Sequence, residues 1–100
     1  MHYSIYSEDC ADSLEKRKAA RDEHMVRVHQ LQEEGRLLIA GPHPNIDSED
    51  PGPAGFSGSL VVAEFDSLQD AEKWAENDPF QKAGVYVKVT VKPFKKKYPA

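Results

Sequence analysis

Val85-Tyr86-Val87-Lys88-Val89-Thr90-Val91-Lys92 places a valine at every second position and fills the alternate places with Tyr86, Lys88, Thr90 and Lys92. A period of two is the mark of a β-strand, here with one face buried and the other mixed. A strand with one dry face needs cover on that side, so the rest of the chain is read for what supplies it.

Upstream, Ser67 with Asp70 three residues on opens a helix through about Asn77, with Leu68, Ala71 and Ala75 on its inner face. Asp78-Pro79 closes it. Proline cannot continue the helix and pushes the preceding residue out of the α region, which holds Asp78 at a corner. Ser59–Phe65 reads as the strand before that helix, and Arg36–Ala40 as a short buried strand stopped by Gly41-Pro42. Between these two strands, His43 to Gly55 alternates prolines and glycines with Asn, Asp, Ser and Glu, a composition suited to an exposed excursion and a candidate lid. Asp12-Ser-Leu-Glu15 offers an N-cap, and the chain to Glu34 is free of proline and glycine. A helix follows there, with Met25, Val28 and Leu31 at buried spacing and Gly35 ending it. His2–Ser7, with Tyr3 and Ile5 on one face, is the first strand.

The order βαββαβ gives an α+β, ferredoxin-like architecture: a four-stranded antiparallel sheet with two helices on one face, covering the valine side of the last strand. Its length of 100 residues and hydrophobic content of 39% suit one domain over 1–100, with 92–100 as a basic C-terminal tail. The opposite sheet face carries Tyr86 and Thr90 and either meets water or closes against a second sheet. So small a chain gains cover by pairing, and a homodimer is expected, barrel-like with interior clefts if those faces stack.

The net charge of −4 and the lack of a basic stripe interleaved with aromatics argue against nucleic acid. Lys95-Lys-Lys97 reads as a solvated tail. No membrane-length apolar stretch and no leader pattern is present, so the expected location is the cytoplasm. Cys10 is the only cysteine, which excludes an internal disulfide. It stands among carboxylates that disfavour a thiolate, so it reads as an exposed loop thiol.

There is no phosphate-binding glycine loop, no Gly-x-Ser-x-Gly elbow and no His-Glu-x-x-His, and neither metal nor organic cofactor is expected. Four histidines remain. His2 and His29 read as solvent-facing, and His43 as a loop group able to reach a site only if the loop closes. His24 shares a helix face with Val28 and Leu31, so it is either a satisfied core histidine or a group aimed into a cleft. Asp78 is either a helix-ending turn residue or the carboxylate that accepts the Nδ1 proton of His24 and fixes its tautomer. In the second case Nε2 is free to move a proton. With no nucleophile in view, that suits isomerisation or elimination next to a carbonyl.

Ser13-Leu-Glu-Lys-Arg17, Arg21-x-x-His24, Glu34-Gly-Arg-Leu37, Ala40-Gly-Pro42, Asp50-Pro-Gly52, Ala54-Gly-Phe56, Ala63-Glu-Phe65, Asn77-Asp-Pro-Phe80, Ala83-Gly-Val-Tyr86 and Val91-Lys-Pro-Phe-Lys-Lys96 together resemble the bacterial YciI family, the YCII-related domain. The resemblance spans nearly the whole chain and implies a ferredoxin-like fold that dimerises as a dimeric α/β barrel. It implies His24 and Asp78 as an active-site pair, with Arg21 of the same motif steadying the site or an anionic ligand. Where the family usually has proline after that arginine this chain has Asp22, so a softer break near the helix start is expected. Among similar proteins is a dehydrochlorinase acting on a chlorinated hydroxyquinol, and the wider superfamily includes lactone isomerases and cofactor-free oxygenases. The implied function is therefore a cofactor-free lyase or isomerase acting on a small cyclic or aromatic molecule. A non-catalytic small-molecule binding module is the alternative.

Overall fold

The computed structural model describes residues 1–100. It holds strand β1 (His2–Asp9), helix α1 (Leu14–Glu33), strand β2 (Leu37–Pro44), a 3-10 turn (Gly52–Ala54), strand β3 (Phe56–Glu64), helices α2 (Leu68–Glu76) and α3 (Pro79–Lys82), and strand β4 (Tyr86–Phe94). All neighbouring strands are antiparallel, in the order β2-β3-β1-β4. The α+β class and four-stranded sheet are those the sequence predicts.

Tyr3, Ile5, Val61 and Ala63 project from the centre of the sheet into a core closed by Leu31 of α1, Ala71 and Ala75 of α2, and Phe65. Ser67 caps α2 as expected, its Oγ accepting the Asp70 N–H at 3.1 Å. The start of α1 differs. Ser13, not Asp12, occupies the cap position, and its hydroxyl donates to Asp9 instead of capping the helix. Asp12 takes the left-handed turn before it, at φ 55°. The helix runs unbroken through Asp22.

Along α1 the buried residues are Arg17, Ala20, His24, Val28 and Leu31, while Met25 is exposed. The inward stripe keeps helical spacing, but two of its five members are polar, so the apolar residues alone misplace it by one position at Met25.

β2 is an edge strand, not a buried one. Ile39 is exposed, and the strand continues through Gly41-Pro42-His43-Pro44. A proline has no N–H to give, which an edge strand tolerates and an interior strand does not. The excursion is correspondingly shorter than predicted, with β3 starting at Phe56.

β4 corrects the valine row. Ile5 faces Val91 and Ser7 faces Val89, but Asp9 faces Tyr86, because the register shifts between Glu8 and Asp9. The extra residue is Val87, which is exposed, and Tyr86 turns in beneath the helices. β4 also carries on to Phe94, so residues 92–94 of the predicted tail are strand.

Candidate active site

His24 is brought to Asp78 by two unrelated local devices. One is its place on the inner stripe of α1. The other is the Asp78-Pro79 corner, which starts α3 instead of merely ending α2, with Pro79 in its first turn. Asp78 Oδ1 accepts the Phe80 N–H at 2.9 Å as the cap of that helix, and the same oxygen lies 2.8 Å from His24 Nδ1. A carboxylate can only accept, so Nδ1 carries a proton toward Asp78 and Nε2 is the nitrogen left to other partners. The imidazole stacks on Phe80 at 3.9 Å between centroids and 10° between planes. It is held in position and in plane.

Nε2 has no hydrogen-bond partner within the chain, and the only buried polar side-chain atom without one is Arg27 Nη1. Nε2 therefore keeps some solvent access, and His24 lines a cavity of about 480 Å³ with Phe80, Phe56, Val61 and Met25. Arg21 lines the same cavity at its mouth, two-thirds exposed and 3.8 Å from Asp22. Arg27 lies outside it, with its guanidinium 4.5 Å over the Trp74 ring. Burial pulls the Arg27 pKa down from its usual value, and the Asp78 charge opposes that shift.

The other histidines stand apart from this cavity. His29 is exposed beside Glu33, as predicted. His2 is half-buried near Glu64 rather than solvent-facing. His43 belongs to β2, not to a loop, and packs edge-on against Tyr6. Tyr6 alternates with the buried Ile5 and Ser7 along β1 and so lies on the sheet face away from the helices, which places His43 across the sheet from His24. Cys10 is half-buried rather than exposed, with Lys16 Nζ at 3.7 Å, in a separate cavity of about 450 Å³.

Reading the sequence for histidines and aspartates missed a second buried charge. Arg17, 92% buried as a side chain, donates from Nε and Nη2 to both oxygens of Asp9 at 2.6 and 2.8 Å. Nη2 also donates to the Gly58 carbonyl and, at 2.9 Å, to Ser59 Oγ. Ser59 Oγ accepts in addition from Tyr86 at 3.2 Å. Burial pushes the Tyr86 phenol up to about 12, which keeps it a neutral donor. Gly58 lets β3 pass close to β1 here, since a Cβ there would run into the Ser7 carbonyl oxygen. The available signal was an arginine at i−7 from His24, two helical turns back on the same face.

The family model of the YCII-related domain matches residues 1–95. Protein YciI of Escherichia coli is 59% identical over 96 residues, covering 96% of this chain and 98% of that one. A Haemophilus influenzae protein is 55% identical over the same share of each chain. Among solved structures, the 5-chloro-2-hydroxyhydroquinone dehydrochlorinase TftG of Burkholderia phenoliruptrix, in complex with 2,5-dihydroxybenzoquinone, superposes with a TM-score of 0.84 at 26% identity. That match covers 97% of this chain and 96% of the neighbour.

Proposed function

The chain belongs to the YCII-related domain family, and on that premise we propose that it is a cofactor-free acid/base enzyme of lyase or isomerase type, dehydrochlorinase-like, acting on a small cyclic or aromatic molecule. His24 is the general acid/base, Asp78 orients it, and Arg21 stands at the cavity mouth beside an anionic substrate group. The observation that carries the reading is the 2.8 Å contact between His24 Nδ1 and Asp78 Oδ1, with Nε2 left free beside the cavity.

In the proposed step, Nε2 takes a proton from the bound molecule and the electron pair stays behind. In an elimination that pair expels the leaving group as an anion. In an isomerisation the imidazolium returns the proton to another carbon. Asp78 steadies the imidazolium through the Nδ1 hydrogen bond, and Phe80 keeps the ring from swinging. The cavity has the size of small-molecule sites, and its aromatic and aliphatic walls suit a flat ring. The dehydrochlorinase neighbour supports a lyase-like reaction. The protein works in the cytoplasm as a homodimer in this reading. Tyr6, Ile39 and Leu60, on the sheet face without helices, are what a second copy would cover.

Chloride release from 5-chloro-2-hydroxyhydroquinone, followed by a wider panel of hydroxyquinols and cyclic acids, tests it. Turnover by the wild type should fall by about a hundredfold or more in His24→Asn and in Asp78→Asn, with folding retained. A wild type that binds 2,5-dihydroxybenzoquinone yet turns over nothing on the panel would leave the binding-module reading in its place.

A further inference from the structure

Arg17 spends Nε and Nη2 on Asp9, Gly58 and Ser59. Its Nη1 makes no hydrogen bond and is not among the buried unpartnered atoms, so it reaches accessible space. The cavity that Arg17 lines is the one His24 lines; the neighbouring cavity is lined by Asp9 and Ser13 but not by Arg17. The ion pair thus stands between the two cavities, with Asp9 lining one and Arg17 the other. Ser59 adds to the Arg17 side. Its oxygen accepts from Arg17 and from Tyr86, which occupies both lone pairs, and its own O–H has no acceptor in the chain. Ser59 lines the same cavity.

The lining charges point the same way. Arg17, Lys18 and Arg21 line the cavity and no carboxylate does, in a chain whose net charge is −4. Arg17 also sits 5.1 Å from the centroids of both Phe56 and Phe80, which fixes its plane. A donor whose orientation is already set by a bidentate partner loses little freedom when it takes an anion.

We propose that Arg17 Nη1 and the Ser59 hydroxyl form the anion-holding wall of this cavity, so that the ligand is a small planar organic anion that sets an ionised oxygen against them, with its ring facing His24. This deepens the acid/base reading and rests on the same cavity. It assigns the holding of charge to Arg17 and leaves Arg21 to attract the ligand at the mouth. The oxygen is that of a carboxylate or of a phenolate or enolate, which share this chemistry.

Titrations of the intact protein, followed by amide and arginine side-chain NMR, would use benzoate and 4-nitrophenolate, with benzamide and 4-nitroanisole as neutral counterparts. At least one anion should bind about tenfold or more tightly than its neutral counterpart, as a charge-assisted hydrogen bond provides. The tighter anion identifies the oxygen chemistry. Ser59→Ala and Arg17→Lys should each weaken it severalfold or more, and Arg21→Gln less than about threefold. Should Arg17→Lys fail to fold, Ser59→Ala and the comparison of charged with neutral probes in the wild type still decide. Neutral probes binding as well as the anions, or Arg21→Gln losing as much as Ser59→Ala, would overturn the proposal. His24→Asn should retain anion binding, so a failed turnover assay and a failed anion wall are separate results.

Discussion

The two ends of the sheet are built on opposite principles. At one end Tyr3, Ile5, Leu31, Val61, Phe65, Ala71 and Ala75 form a dry core. At the other, all six buried polar residues, Ser7, Ser13, Arg17, His24, Ser59 and Asp78, surround a small apolar set of Ala20, Phe80, Val85 and Tyr86. The first end is stabilised by burial of apolar area, which tolerates exchange of like for like. At the second end each charge needs a partner in a set geometry, because a buried charge left alone is strongly destabilising. The lesson is that apolar burial and paired buried charge stabilise different ends of one small domain, and the polar groups of the cavity come from the second.

The largest effect should come from breaking the polar end on one side only. Arg17→Met leaves the Asp9 carboxylate, 1% exposed, without its partner. It should cost about 4 kcal/mol in urea unfolding, and Arg17→Met with Asp9→Leu should recover most of that. A double variant no more stable than the single one would mean that the unpaired carboxylate is not the cause.

At the dry end, Leu31→Ala should cost about 3 kcal/mol, as expected for a fully buried leucine, while leaving ligand affinity of the folded protein unchanged. A change in affinity of similar size would show that the two ends are coupled.

Tyr86 sharpens the contrast through pH. Its folded pKa of about 12 lies above the usual 10.0, so between these values the unfolded chain has lost the phenol proton and the folded chain still holds it. Stability should therefore fall by about 2 to 3 kcal/mol as pH rises through that window. Tyr86→Phe should flatten the fall, at a loss of about 1 kcal/mol below it for the hydrogen bond to Ser59. Denaturation curves on either side of pH 10 measure both. The smallest effect belongs to Ser67→Ala, which removes the α2 cap and should cost about 1 kcal/mol with no change at the cavity.

Legibility in the sequence followed the same division. Element order, the core face of β1 and the capping of α2 come from local patterns, and these were readable. His24 stood out by its place on a buried helical stripe and by family motif, and Asp78 by the proline after it. Asp9 and Arg17 did not. Their residues look like ordinary surface charges near a turn, and only the register of β1 on β3 brings Ser59 and the Gly58 carbonyl to the same guanidinium. The valine row of β4 misled for a related reason: its period is local, but the bulge opposite Glu8 and Asp9 is set by pairing with another strand.

By itself the sequence determined an α+β chain of βαββαβ order, because periodicity, caps and prolines act within a few residues of themselves, while the pairing of His24 with Asp78 came from the family resemblance and not from local pattern. Only the tertiary structure decided that β2 lies at the edge, that Tyr86 turns inward, and that Arg17 is buried with one nitrogen left free. Those outcomes depend on which distant group supplies the hydrogen bond, and a buried charge is tolerated only where such a partner arrives.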